Sequence, residues 1–391
     1  MKQQDVHTRW VILAVGAAIQ LLTGIPAAWG AFQPPVQQEY GLEERAVSFG
    51  LSVMIAAFGI GCVLGGFLQD KKGPRMAGLV GTGLLCAGFG MVGFVPQGSA
   101  WLLYLAFSVP VGLGCAFLYP AVMSCAQKWC QDKKGLATGV IGIAVGLSGG
   151  AYTLAVRWMT GRWGIRVCFW VLAAVMLVVC GVGSLLLRNP PQSAQPEGDQ
   201  GPDYTPGQML RTRQYWLVAA VVALAAPSVL LFSPAIVEMG QQRGLSQDAA
   251  YWAIILGSAA SAAGRLTMPA LSDRIGRRAT DLILFAALAG LSVWFAWAGG
   301  WWMLAVYGGL TFCYAAQGAI LPSLCTDLFG LPHAGVNYGF LALGMTVGSL
   351  GFPLLARWFN NPAASHWVAA GASAAGFGLL LLLKPTPGER I

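Results

Sequence analysis

Long apolar runs recur through this sequence of 391 residues, and they limit its fold more than any other feature. Each run holds about 18 to 25 residues, enough for a helix to cross roughly 30 Å of hydrocarbon. Only 10% of the residues are charged, well below soluble-protein usage. The pattern predicts an all-α membrane protein with twelve spans, at residues 10–32, 46–68, 76–95, 100–126, 135–158, 166–188, 215–238, 248–272, 280–299, 302–325, 335–357 and 364–383.

The basic residues predict how these spans are oriented. If both termini are cytoplasmic, most of the lysines and arginines fall in the cytoplasmic segments, as the positive-inside tendency requires. This placement accounts for the net charge of +8 without nucleic acid as a partner. The first run is too long for a signal-peptide core, so we interpret it as a span. We expect a multi-pass monomer in a bacterial inner membrane.

The reactive residue types are placed unfavourably for an enzyme or a metal protein. The nine cysteines fall mostly inside predicted spans and lack paired metal-ligand spacing, so we expect buried apolar thiols. The three histidines lie near span ends, and all acidic residues lie in loops or near helix ends. Because no acid, base or metal ligands converge inside the spans, we expect no enzyme, no metal and no cofactor.

A polar segment divides the chain into two similar halves. The stretch NPPQSAQPEGDQGPDYTPGQMLRTRQ predicts a cytoplasmic linker at 189–213, between six-helix bundles at 1–188 and 214–391. GGFLQDKKGPR at 65–75 follows the second span, and PALSDRIGRR at 269–278 follows the eighth. The same loop at the same place in each half indicates a duplicated architecture.

The duplicated loops contain candidate gating residues. A carboxylate at a helix end can accept N–H groups from the start of a neighbouring helix and pair with nearby arginines, forming a latch between the halves. The candidates are Asp70, Arg75, Asp273, Arg274 and Arg277. The alternative is that these charges only mark solvated helix ends and fix the topology.

The chain resembles the major facilitator superfamily, whose members have loops of this type after the second and eighth spans. More narrowly it resembles the oxalate/formate antiporter family, which lies close to the monocarboxylate transporters. The stretches RWVILAVGAAIQLLTGIPAAWGAF, WCQDKKGLATG, PGQMLRTRQYW and DLFGLPHAGVNYGF carry this resemblance. The resemblance implies secondary transport by rocking of two bundles about a midplane site.

Arg265 is the charge that should lie deep in a span. An arginine near the bilayer centre costs about 2.5 to 3.5 kcal/mol on insertion scales, and it keeps its proton. Ser261 and Ser258 lie on the same helical face, and no carboxylate lies one turn away. We expect an anionic ligand whose carboxylate accepts two N–H bonds from the guanidinium. The alternative is an arginine that snorkels or bonds to the backbone.

Other polar residues could complete this site. The resemblance implies that Tyr119 is a binding-site tyrosine and that Tyr314 is an aromatic site position, although Tyr119 could instead pack in the core. Gln317 is a candidate because it is placed with Tyr314 on one face of the tenth span. Weaker candidates, interpreted mainly as structural, are Tyr152, Ser148, Asn337 and Tyr338.

Departures from the resembled family suggest the substrate. Its oxalate antiporters have a lysine in the eleventh span where this chain has Met345, and polar contacts in the first span where it has Pro26 and Ala27. We therefore expect a small monocarboxylate such as L-lactate or pyruvate, co-transported with a proton. Ser261 replaces an Asp that many monocarboxylate carriers use in proton coupling, so the proton-binding residue stays open. The alternatives are an oxalate/formate-type exchanger, a multidrug-type efflux carrier and a non-transporting sensor.

Overall fold

The computed structural model describes residues 3–130, 134–190, 203–330, 333–359 and 364–384. Within these ranges the regular structure is helical, as predicted. Most of the predicted linker, residues 191–202, lies outside the described residues. The division into bundles at 1–188 and 214–391 therefore stays a prediction.

The helices follow one another in two sets, before and after the linker. The first half contains α1 (Gln3–Thr23), α2 (Trp29–Tyr40), α3 (Glu44–Lys72), α4 (Pro74–Met91), α5 (Ala100–Leu103), α6 (Val109–Trp129) and α7 (Lys134–Leu186). The second half contains α8 (Pro206–Met209), α9 (Arg213–Ala225), α10 (Pro227–Leu230), α11 (Ile236–Gln242), α12 (Gln247–Ile275), α13 (Arg277–Phe295), α14 (Gly300–Phe329), α15 (Ala334–Trp358) and α16 (Ala364–Leu381).

The number of membrane spans agrees with the prediction. The described residues contain ten helices that are long and apolar enough to cross a membrane, and an eleventh if α1 and α2, bent by 43°, form one span. Helix α7 supplies the twelfth, because its 53 residues would measure roughly 80 Å at 1.5 Å per residue if they formed one straight helix. That length is more than twice the hydrocarbon thickness.

Helix α7 folds back at Gly164. This glycine has φ 78° and ψ 168°, a conformation that residues with a Cβ rarely adopt. Ser148, before the turn, bonds to the Gly24 carbonyl of α1's C-terminal end, while Gly183, after the turn, packs against Ile19 of α1. The segments of α7 before and after Gly164 therefore both pack against the C-terminal part of α1, as expected for two antiparallel membrane spans.

The first span of each half is interrupted, which the hydropathy pattern did not predict. The predicted span 10–32 is interrupted at Gly24 and continues as a 3-10 turn that contains Pro26. The predicted span 215–238 is divided into α9, α10 and α11, with Pro227 beginning α10. Proline lacks an N–H and its ring clashes with the preceding turn, which explains these interruptions. Both interruptions lie beside the central cavity described below.

The two halves meet along two helix pairs, α3 with α15 and α7 with α12. A Cβ on Gly66 of α3 would lie 2.7 Å from the Gly335 carbonyl oxygen of α15. A Cβ on Gly146 of α7 would overlap the Cα and N atoms of Ala262 in α12. The glycine-rich stretches GIGCVLGG and GVIGIAVGLSGG thus supply the close contacts between the halves, since small residues let helix backbones approach.

This packing predicts a sharp difference between two Gly→Ala substitutions. We expect Gly146→Ala to lower the transport rate at least about tenfold, because the added methyl group separates α7 from the α12 backbone. Gly83→Ala is the matched control, because a Cβ there meets no atom within 4 Å. Alanine should also favour the helix at that position by up to about 1 kcal/mol. Transport rate and thermal midpoint are measured for both; equal behaviour would contradict the packing argument.

Candidate functional site

A central cavity of about 190 Å³ lies between the two halves. Both halves line it, with residues from α1, α3, α6 and α7 on one side and from α10, α12, α14 and α15 on the other. Most of its wall is apolar. Its lining side chains include Gln20, Thr23, Ile55, Phe58, Tyr119, Ser261, Arg265, Tyr307, Thr311, Tyr314, Tyr338 and Met345.

Arg265 is the only charged residue in the wall of this cavity, all of whose lining residues are described. Its Cβ lies against Gly142 of α7, where an added Cβ would be 3.1 Å away. Its Nε atom is buried and makes no hydrogen bond to any described residue. The absence of a described carboxylate within ion-pair distance leaves the guanidinium able to bind an anion.

Three tyrosines surround the guanidinium. Tyr119, Tyr314 and Tyr338 all line the cavity and lie close enough to Arg265 to interact with its charge. Tyr119 lies within hydrogen-bonding reach of Arg265 and of Tyr338. A guanidinium only donates hydrogen bonds, so in a bond between these two groups the Tyr119 oxygen would be the acceptor. Phe58 packs edge-on against Tyr119, with the ring centroids 6.0 Å apart.

The structure brings together four of the five predicted binding residues. Arg265, Tyr119, Ser261 and Tyr314 line the cavity, and Ser261 lies one turn before Arg265 on α12. Gln317 is buried in α14 but does not line the cavity. Three residues correspond to about 300° of helix rotation, so Gln317 is turned about 60° away from Tyr314.

The weaker candidates also divide into one residue that lines the cavity and three that do not. Tyr338 lines the cavity. The Tyr152 hydroxyl donates to the Leu22 carbonyl at 2.7 Å, and the Asn337 amide donates to the Tyr204 carbonyl at 3.0 Å. Ser148 bonds to the Gly24 carbonyl at 3.0 Å. These three side chains hold helix ends and crossings in place.

Sequence reasoning did not identify the polar pair that α1 contributes to the wall. The Thr23 hydroxyl donates to the Gln20 side-chain carbonyl at 2.7 Å, and the Gln20 amide nitrogen makes no hydrogen bond within the described chain. Two polar residues one turn apart in an otherwise apolar span were the available signal. Phe58 and Ile55 gave no such signal, since apolar residues occur on every face of α3.

Asp70, one of the predicted gating residues, contacts the other half of the chain. The backbone N–H of Val336, in the first turn of α15, donates to the Asp70 carboxylate at the end of α3. A Cβ on Gly335 would lie 2.9 Å from the Asp70 Oδ1 atom, so only a small residue permits this approach. The nearby basic side chains are Lys128 and His333, rather than Arg75 of the same loop.

The second loop makes a different set of contacts. Arg277 pairs with Asp273 at 2.5 Å and with Asp327 at 3.2 Å, both in the same half. Arg75 and Arg274 are exposed, and neither makes an ion pair with a described side chain. Of the predicted gating residues, only Asp70 is seen to contact the other half in the described part of the chain.

The halves also meet beyond the opposite end of the cavity. Arg157, near the Gly164 turn, pairs with Asp248 at the start of α12 at 2.5 Å and lies 4.2 Å over the Tyr251 ring. A Cβ on Gly30 of α2 would lie 3.1 Å from the Ser233 carbonyl oxygen. The cavity is therefore bounded by contacts between the halves at an Asp70 end and an Arg157 end.

Two helical halves around a central cavity are typical of secondary transporters. The profile of the Major Facilitator Superfamily matches residues 12–235 and again 218–391. The chain belongs to the Major Facilitator Superfamily. The repeated match agrees with the duplicated loops of the sequence.

Several characterised and uncharacterised proteins are similar over most of the chain. The oxalate:formate antiporter of Oxalobacter formigenes is 25% identical, covering 98% of this chain and 93% of the relative. Monocarboxylate transporter 13 of Bos taurus is 26% identical, covering 95% of this chain and 88% of the relative. The uncharacterized transporter YhjX of Escherichia coli is 25% identical, covering 88% and 86%.

Proposed function

We propose that this protein is a secondary transporter of small monocarboxylates, with L-lactate or pyruvate as representative substrates. The observation that carries the proposal is Arg265, the single charge of the cavity wall, whose buried Nε has no partner among the described residues. A carboxylate that accepts two parallel N–H bonds from the guanidinium would satisfy it. Tyr119, Tyr314 and Ser261 are placed to contact the same ligand.

The rest of the wall favours one carboxylate over two. Met345 lies in the same cavity as Arg265, so the wall offers an apolar contact where a dicarboxylate would require a second cation. Ile55 and Phe58 add further apolar surface, suited to a short hydrocarbon tail. Relatives named for monocarboxylates and for oxalate and formate are consistent with a small carboxylate as the ligand.

The size of the cavity argues against the efflux alternative. Its volume of about 190 Å³ is below the roughly 300 to 1,000 Å³ of pockets that hold drug-sized ligands. A cationic compound would also meet Arg265 without a carboxylate in the wall. Both observations favour a small anion.

Alternating access supplies the transport mechanism of this proposal. Rocking of the halves would break the contacts at the Asp70 end and at the Arg157 end in turn. Asp70 is the proposed latch of one end, and Arg277 holds Asp273 and Asp327 in the neighbouring loop. The same proposal includes cytoplasmic termini, bundles at 1–188 and 214–391, and a monomer in a bacterial inner membrane.

Proton coupling is part of the proposal, although the wall contains no carboxylate to receive the proton. An unpaired Arg265 would oppose closure of the cavity, so the carrier would cross the intermediate state with its anion bound. Proton movement would then be coupled to transport because a proton crosses the membrane together with the bound anion.

Reconstituted protein tests the proposal. We expect uptake of labelled L-lactate into proteoliposomes to be inhibited by pyruvate more strongly than by oxalate, and to be accelerated by an inward proton gradient. A rate that ignores the gradient but depends on internal anion would identify an exchanger instead. Inhibition by oxalate alone would contradict the monocarboxylate assignment.

A further inference from the structure

A second, smaller cavity of about 30 Å³ lies on the Asp70 side of the central cavity. Gly335, whose Cα approaches the Asp70 carboxylate, is part of its wall, as are Gln127 and Thr326 near the ends of α6 and α14. This cavity therefore lies between the binding site and the latch.

Tyr119 and Tyr338 are the residues that line both cavities. Their rings are stacked, with centroids 6.0 Å apart and planes inclined by 25°. Tyr119 belongs to α6 in the first half and Tyr338 to α15 in the second half. Their exposed fractions are 8% and 7%, so little space remains around the rings. The stacked pair separates the central cavity from the Asp70 end.

The helices that border the second cavity contain prolines at equivalent positions. Pro120 follows Tyr119 in α6, and Pro322 lies inside α14 in the other half. The two prolines are separated by almost the same interval as Asp70 and Asp273 of the duplicated loops. Each proline removes one hydrogen bond within its helix, which makes bending at that point easier.

We propose that the Tyr119–Tyr338 pair is the gate between the substrate site and the Asp70 end, and that an anion on Arg265 releases it. Tyr119 and Arg265 both line the central cavity, with Tyr119 within hydrogen-bonding reach of the guanidinium, so a bound carboxylate would compete with the Tyr119 oxygen for the same N–H donors. Loading of Arg265 frees the Tyr119 hydroxyl, and α6 can then bend at Pro120. The release mechanism depends on the proposed function, because it requires an anion at Arg265.

Thiol labelling from the Asp70 side tests the gate. Thr311→Cys places a reporter in the central cavity, and Lys71→Cys, which is exposed beside Asp70, identifies the correct side in sealed vesicles. An impermeant maleimide is added on that side, and labelling of the parent, with its nine native cysteines, is subtracted. The quantity measured is the labelling rate of Thr311→Cys.

Tyr119→Phe keeps the ring but removes the hydroxyl that contacts Arg265. We expect this variant to raise the labelling rate without ligand about tenfold or more, the factor that corresponds to one hydrogen bond to a charged group. Tyr338→Ala, which removes the stacked ring, should raise the rate as well. Tyr307→Phe is the matched control, because Tyr307 is a buried tyrosine that lines only the central cavity.

The comparison without ligand decides the proposal, and a separate binding measurement with labelled L-lactate tests the proposed function. A Tyr119→Phe rate equal to that of Tyr307→Phe would overturn the gate, even if lactate binds. A raised Tyr119→Phe rate supports the gate whatever the substrate. If lactate binds to the parent, it should also raise the parent's labelling rate and leave Tyr119→Phe unchanged; a parent that binds lactate without this increase would overturn release by the anion.

Discussion

Arg265→Gln should reduce the affinity of the purified protein for L-lactate by about a hundredfold to ten-thousandfold. The bound carboxylate would lose two charge-assisted hydrogen bonds from the guanidinium, each contributing about 1.5 to 3 kcal/mol. Every 1.4 kcal/mol corresponds to about a factor of ten in the dissociation constant. Isothermal titration of the parent and the variant measures the change. Arg265→Lys should recover only part of the affinity, because lysine keeps the charge but lacks the planar fork.

Stability distinguishes a binding role for Arg265 from a structural one. Arg265 makes no ion pair with a described residue, and removing a charge from a span relieves about 2.5 to 3.5 kcal/mol of insertion cost. We therefore expect Arg265→Gln to keep or raise the thermal midpoint. Arg211→Gln, at an exposed arginine outside the cavity, is the control and should leave both quantities unchanged. A lowered midpoint with unchanged affinity would make Arg265 structural.

Met345→Lys should shift the ligand preference from L-lactate towards oxalate. Met345 lines the same cavity as Arg265, so a lysine there places a second cation in the wall. The second carboxylate of oxalate would gain a charge-assisted hydrogen bond, so its affinity relative to L-lactate should rise about tenfold or more. Competition of both anions against labelled L-lactate and labelled oxalate measures the ratio.

Met345→Leu is the matched control for this change. It keeps an apolar side chain of similar size, and such exchanges are usually tolerated. We expect it to retain the parent's preference for L-lactate. If Met345→Lys and Met345→Leu gave the same preference, the residue at this position would not determine how many carboxylates the site accepts.

The fold was predictable because membrane spans depend mainly on length and hydropathy. The duplicated Asp70 and Asp273 loops identified the repeat, and Gly73 and Gly276 adopt the same left-handed turn, with φ of 84° and 94°. The interruptions beside Pro26 and Pro227 were missed. Mean hydropathy does not detect a missing backbone N–H, although the prolines themselves were visible in the sequence.

The binding site was predictable only where a residue was chemically exceptional. Arg265 is conspicuous as a charge within a span, and it lines the cavity. Gln317 was chosen by helical spacing alone, and a shift of one residue rotates a side chain by about 100° around the helix. The next residue, Gly318, is the one that lines the cavity. The partner of Asp70 is a backbone N–H of Val336, and side-chain patterns do not identify backbone donors. The pairing of Tyr119 with Tyr338 required the arrangement of both halves.

Counterflow of labelled L-lactate tests the central claim most directly. Proteoliposomes loaded with unlabelled L-lactate are diluted into a trace of labelled L-lactate, with the parent and Arg265→Gln reconstituted in parallel. We predict a transient accumulation of label with the parent and none with Arg265→Gln. Equal accumulation with both proteins, or none with the parent for any small monocarboxylate, would contradict a monocarboxylate transporter that binds its substrate through Arg265.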